Sequence, residues 1–174
     1  MKILVAPCAY KGTLQAPDLA KAIARGLRSN SRELEIVLAP VADGGDDTIA
    51  CLPLALGGDF VYYTVSGPVS QPVKASYLSL GRLGVVELAQ ASGIAHLQKN
   101  QLAALRAHTF GTGQIIARAI EDGATSVAIM LGGSASTDGG SAVLAALGAK
   151  FYDNAENAIL TDGTVCGGGA LLSI

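Results

Sequence analysis

Ser126-Val127-Ala128-Ile129-Met130-Leu131-Gly132-Gly133-Ser134-Ala135-Ser136-Thr137-Asp138-Gly139-Gly140 runs directly into Ser141-Ala142-Val143-Leu144-Ala145-Ala146-Leu147. Ser126 to Leu131 is a short, mostly apolar run and reads as a buried strand, while Gly139 to Leu147 reads as a helix. A strand that enters a helix through a glycine-rich loop is the repeating unit of an α/β protein. The same order opens the chain. Ile3 to Ala6 reads as a buried strand ended by Pro7. Pro17 suits the first turn of a helix that continues to about Arg28, with Asp18 near its positive end. Leu19, Ile23 and Leu27 give that helix one apolar face. Leu34 to Leu38 is a second strand, and Gly44-Gly45 opens a helical pattern from about Asp46 to Leu56.

The middle of the chain differs. Phe60 to Val65, Val73 to Leu80 and Gly84 to Leu88 are rich in Val, Tyr, Thr and Ser, and Gly67-Pro68 marks a turn between the first two. They predict neighbouring antiparallel strands. Gly111 to Asp122 predicts another helix. The expected fold is therefore α/β, a mainly parallel, doubly wound sheet with a mixed or antiparallel section. Residues 1–105 are expected to form a first α/β domain that includes the antiparallel strands. Residues 106–174 are expected to begin a second one that stays incomplete.

Composition narrows the function. The chain has 174 residues, 50% of them hydrophobic and only 15% charged, so it can bury a core and is not disordered. Its 12 Lys and Arg against 14 Asp and Glu give a formal charge of −2, which argues against nucleic acid as a partner. The 22 glycines follow no collagen period and imply tight turns and close backbone approaches. Cys8, Cys51 and Cys166 are too widely spaced for a zinc site or a disulfide framework, which fits a reducing compartment. Neither a signal peptide nor a membrane span is visible, so a soluble, cytoplasmic protein is expected.

Chemistry concentrates in loops that follow strands. In Gly132 to Gly140, small side chains let backbone N–H groups approach an anion, and Ser134, Ser136 and Thr137 add hydroxyls. Asp138 is a candidate to hold Mg²⁺ or to accept a proton from an attacking hydroxyl. In Val41 to Thr48, Asp43 precedes Gly44-Gly45 and reads as functional, whereas Asp46 and Asp47 read as ordinary first-turn acids. In open α/β sheets the ligand crevice lies at the carboxyl ends of the strands, where both loops fall. Lys11, in Tyr10-Lys11-Gly12-Thr13, can pair with a phosphate or carboxylate. Gly111-Thr112-Gly113 offers further backbone donors at a helix start. His108 reads as structural and Cys8 as a small buried cysteine. There is no P-loop, no complete dinucleotide fingerprint and no G-x-S-x-G elbow.

These loops, in this order, resemble the ATP-dependent bacterial glycerate kinase family. The resemblance is carried by Ala6-Pro7 with Lys11-Gly12, Ala42-Asp43-Gly44-Gly45, Glu87-Leu88-Ala89 with Ala91-Ser92-Gly93, and Thr109-Phe110-Gly111-Thr112-Gly113. It continues through Gly132-Gly133-Ser134-Ala135, Asp138-Gly139-Gly140 and Gly167-Gly168-Gly169-Ala170-Leu171. The chain departs from the family pattern at Cys8-Ala9, where an acid and a hydroxyl are usual. It departs again at Asp47, where a glycine is usual, and at Thr137, where an amide is usual. Family members are longer and resemble two α/β domains around a cleft, so this chain is expected to be an N-terminal portion.

The resemblance implies transfer of the γ-phosphoryl of ATP to a hydroxyl of D-glycerate, with Mg²⁺. It implies small-molecule partners, ATP and glycerate, and neither nucleic acid nor membrane. On the matching positions, Lys11, Asp43 and Asp138 are the catalytic candidates, and Asp43 and Asp138 the metal candidates. Gly44, Gly45, Ser92, Gly111, Thr112, Gly113, Gly132, Gly133 and Ser134 are the candidates to bind substrate or nucleotide. Replacing Asp138 by Asn is then expected to lower turnover more than stability. The alternative is an inactive remnant that still binds an anion or nucleotide. An exposed inter-domain face would favour self-association, which leaves a homodimer as an open expectation.

Overall fold

The computed structural model describes residues 1–10, 12–30, 33–102 and 104–152. Lys11 and the segment Gly167-Gly168-Gly169 therefore lie outside the described residues. The described strands are β1 (Lys2–Val5), β2 (Glu35–Leu38), β3 (Asp59–Ser66), β4 (Pro72–Leu80), β5 (Leu83–Glu87) and β6 (Ser126–Met130). The helices are α1 (Ala16–Asn30), α2 (Thr48–Cys51), α3 (Pro53–Leu56), α4 (Leu88–Ser92), α5 (Phe110–Glu121) and α6 (Ser141–Ala146).

The fold is α/β, and its strands lie in two sheets. β1 and β2 pair in parallel. The other sheet has the order β3-β4-β5-β6. Within it β3, β4 and β5 are antiparallel neighbours, as their Val, Tyr, Thr and Ser content predicts, and β6 joins β5 in parallel. The point between residues 105 and 106 thus falls between two strands of one sheet.

Alternation along β4 and β5 gives this sheet two apolar faces. Val65, Tyr77 and Val86 pack against Ile115, Ile116 and Ala119 of α5 on one side. Leu78 and Val85 pack with Ile49 of α2 on the other. Fully burying a side chain such as Leu78 or Ile115 is worth about 1.5–3 kcal/mol. Helices on both faces make three layers, and the carboxyl ends of β5 and β6 open toward α2.

Four local expectations are corrected. α1 buries Ala16, Ala20 and Ala24, a stripe of small residues that brings the helix close to its neighbours, while Ile23 on the anticipated face is 39% exposed. The helical pattern after Gly45 starts only at Thr48 and is split into α2 and α3 at Pro53, which has no N–H to continue the ladder. β1 and β6 are only partly buried, with Leu4 65% exposed, because among the described residues β1 pairs with β2 alone and β6 is an edge strand. Cys8 is exposed, not buried.

Candidate active site

Four parallel-paired strands end at one region: β1 just before Pro7, β2 in the loop to Asp47, β5 at Glu87 and β6 in the loop to Gly140. The loops after β2 and β6 touch backbone to backbone. A Cβ on Gly132 would collide with Gly45 Cα and come within 2.7 Å of Gly45 N and 2.8 Å of Gly44 O. A Cβ on Gly133 would meet the Asp46 carboxylate. Only glycine permits this approach. Gly44, Gly45, Gly132 and Gly133 therefore form one joined surface.

Each loop is held by a buried carboxylate. The Asp43 side chain is exposed, and its Oδ1 accepts the Gly45 N–H at 2.9 Å. Glu87 is 1% exposed and accepts the Asp47 N–H on Oε1 and the Ile49 N–H on Oε2, both at 2.9 Å. Burial pushes the Glu87 carboxyl above the usual glutamate range, and the two backbone N–H bonds pull in the opposite direction. Asp47 itself has φ +67°, left-handed backbone that costs a non-glycine residue roughly 1–2 kcal/mol. Its bond to Glu87 and the 2.6 Å bond from Gln15 Nε2 to its Oδ1 hold it there.

The loop after β6 is tied to α4 by two backbone bonds, Ile94 N–H to Gly133 O at 2.8 Å and Ala135 N–H to Ser92 O at 3.0 Å. Its other end is organised by Asp138, 2% exposed. Oδ2 of Asp138 accepts the Thr109 N–H at 2.7 Å and the Thr109 hydroxyl at 2.8 Å. Oδ1 accepts the Gly140 N–H at 3.1 Å and the Ser136 hydroxyl at 3.3 Å. Gly139 and Gly140, both at positive φ, let the chain turn around this carboxylate.

The remaining candidate residues sit as follows. Ser134 is exposed, and its Oγ accepts the Ser136 N–H at 3.1 Å. Ser92 and Thr112 are both buried and share a hydroxyl bond of 2.8 Å between α4 and α5. Gly111 packs against the Ser66 carbonyl, and a Cβ on Gly113 would lie 2.6 Å from Ala146 Cβ and 2.7 Å from Val143 O. In this arrangement Gly111 and Gly113 close the packing of α5 against β3 and α6. Glu87 and Thr109 enter the sequence reading only inside family motifs, yet they fix the two loops. The available signal for Glu87 is an acid ending the otherwise apolar run Leu83 to Val86.

Two cavities flank the joined loops. One, of about 90 Å³, lies among Cys8, Gly12, Asp43, Asp46 and Asp47. The other, of about 450 Å³, has apolar walls from Leu88, Ile129, Leu131 and Val143 and polar groups from Ser134 and Asp138. Among the described residues no cluster of three His, Cys, Asp or Glu is placed to hold a metal ion. Mg²⁺ usually keeps several waters and takes one or two carboxylates together with substrate phosphates. Asp43, exposed and with only Oδ1 engaged, suits that kind of contact; the Asp138 oxygens are already taken by four donors.

A model of the glycerate kinase family matches residues 3–173. Glycerate kinase of Bacillus subtilis (strain 168) is 38% identical over 98% of this chain and 44% of its own length. Glycerate 2-kinase of Escherichia coli (strain K12) is 38% identical over 91% of this chain and 42% of its own. A solved structure of a glycerate kinase 2 from Salmonella typhimurium LT2 superposes with a TM-score of 0.74 at 36% identity, covering 91% of this chain and 43% of that one. The chain thus spans less than half the length of the relatives it matches. With its family motifs converging on strand ends as described, the chain belongs to the glycerate kinase family.

Proposed function

We propose that the joined loops carry phosphoryl transfer from ATP to a hydroxyl of D-glycerate. The observation that supports this most is the backbone contact between Gly44-Gly45 and Gly132-Gly133, which joins two strand-end loops into one surface between the two cavities. Phosphoryl transfer needs positioning and charge neutralisation more than covalent chemistry. The Gly132-Gly133-Ser134 turn would offer N–H and O–H donors to phosphate oxygens. The apolar walls of the larger cavity suit the nucleotide's base. Mg²⁺, when bound with ATP, would neutralise phosphate charge, and Asp43, exposed and with only Oδ1 engaged, would meet it. Lys11 would pair with a carboxylate or with the transferred phosphate.

Asp138 would act by orienting Thr109 and the Gly139-Gly140 turn. As a general base for the glycerate hydroxyl it would first have to release one of its four donors. Gly111, Thr112, Gly113 and Ser92 would support the site from below. A cytoplasmic setting and a homodimer belong to the same proposal. No described helix is long and apolar enough to cross a membrane.

Glycerate-dependent ADP release from MgATP tests the proposal, with a thermal melt as the folding control. Turnover supports it. A second reading is a remnant that binds phosphate without transferring it, favoured by Cys8 at a position where the family pattern carries an acid. Nucleotide binding with a cooperative melt and no turnover would select that reading.

A further inference from the structure

The turn between β3 and β4, together with the segment before α5, borders an open polar cavity of about 350 Å³. It shares no lining residue with the two cavities beside the glycine loops. Its walls are Ser70, Asn100, Gln101, Arg106 and His108 with Val69, so among the described residues no acid lines it. Arg106 is exposed and makes no ion pair among the described residues.

Hydrogen bonds set the state of the groups that line it. His108 is 2% exposed, and its backbone N–H is held by Pro68 O at 2.9 Å. Its Nδ1 accepts the Phe110 N–H at 3.4 Å, and its Nε2 lies 2.9 Å from Ser70 Oγ. Burial lowers the His108 pKa, so the ring is neutral near pH 7. With Nδ1 accepting, the ring proton sits on Nε2 and is donated to Ser70 Oγ. The Ser70 proton is then left to turn into the cavity. Gln101 uses its Oε1 to accept the Gln98 N–H at 2.9 Å, which leaves its NH₂ for the cavity. Ser70 holds this position with φ +67°, a backbone conformation that serine rarely adopts.

The cavity therefore presents a hydroxyl proton, amide N–H groups and one guanidinium, with no carboxylate among the described residues that line it. We infer that it binds a small molecule bearing an oxyanion, a carboxylate or a phosphate, at a site separate from the glycine loops. Guanidinium and hydroxyl donors grouped without an acid are the usual means of holding such groups.

The test is titration of the ¹⁵N-labelled chain with inorganic phosphate and, in a separate arm, with acetate, at ionic strength held constant with sodium chloride. The expected result is saturable shifts of the Ser70, Gln101 and His108 amides in at least one arm, and the tighter arm names the phosphate or the carboxylate class. Arg106→Ala should weaken that binding about tenfold or more, the scale of losing a charge-assisted hydrogen bond. Ser70→Gly should weaken it too; glycine accepts the left-handed backbone, which offsets part of the cost of the lost His108 partner, and a cooperative melt shows that the variant is folded. Absence of saturable shifts in both arms overturns the inference. So does parental affinity in both variants, each shown by melting to be folded.

Discussion

Gly132 lies so close to Gly45 that a single added carbon on the first would collide with the second's Cα. The contact joins the ends of β2 and β6, strands that belong to different sheets. Gly132→Ala must push the loops apart. The expected cost is about 1–3 kcal/mol of stability, typical of overpacking, together with weakened nucleotide binding. Denaturant melts and an ATP titration check both. A variant with parental stability would show that the loops part without cost.

Asp43→Asn removes a charge from an exposed position while keeping an oxygen for the Gly45 N–H. Stability should change by less than about 0.5 kcal/mol. Glycerate-dependent ADP release should fall by about tenfold or more, as for loss of a charge-assisted contact. Steady-state rates at saturating MgATP read this directly, and an unchanged rate would remove Asp43 from the site.

Asp138→Asn behaves differently. An amide cannot accept from Thr109 and Gly140 as the carboxylate does, so a buried donor is left facing a donor. About 1–3 kcal/mol of stability should be lost along with turnover. The motif alone predicts mainly a loss of turnover; the four hydrogen bonds add the loss of stability. Thr109→Val, which keeps the Thr109 N–H, should be milder in melts. Equal effects of the two variants would contradict this division.

Glu87 sets a pH dependence. Its folded-state pKa is raised by burial, so the folded chain holds the proton longer than the unfolded chain does. The stabilisation it contributes is then complete below the ordinary glutamate range, about 4.3, and is lost as pH rises through the raised value. Glu87→Gln mimics the protonated side chain. The melting temperature of the parent minus that of the variant should therefore shrink as pH rises from that range. A gap that widens with pH would mean that the N–H bonds from Asp47 and Ile49 outweigh burial.

Much of this fold is legible in the sequence, because alternation and strand–loop–helix order are local patterns. β3, β4 and β5 follow their composition closely, and Gly67-Pro68 marks their first turn. The break at Pro53 is equally local, and a helical pattern drawn to Leu56 passes over it. Partners are harder to read. That α1 packs through its alanines rather than its leucines depends on how near the neighbouring elements lie. Periodicity makes β6 a strand but does not make it an edge.

The same limit holds for the candidate site. Glycine-rich loops at strand ends point to the crevice, and Asp43 and Gly132 are found from them. The grip of Glu87 on Asp47 and Ile49 joins positions far apart in the chain, and no local pattern announces it. Ser92 and Thr112, selected by motif, are buried against each other. Asp47 illustrates the reverse case. A glycine in the family pattern corresponds here to a left-handed residue, so the motif already held the backbone conformation.

The most direct test follows the backbone amides of both loops while MgATP is titrated into the folded chain. A phosphate site built by two loops predicts that Gly44, Gly45, Gly132 and Gly133 shift together, with one affinity, and that Gly132→Ala weakens all four responses alike. Saturable binding that leaves these four amides unmoved, or that moves one loop without the other, would contradict it.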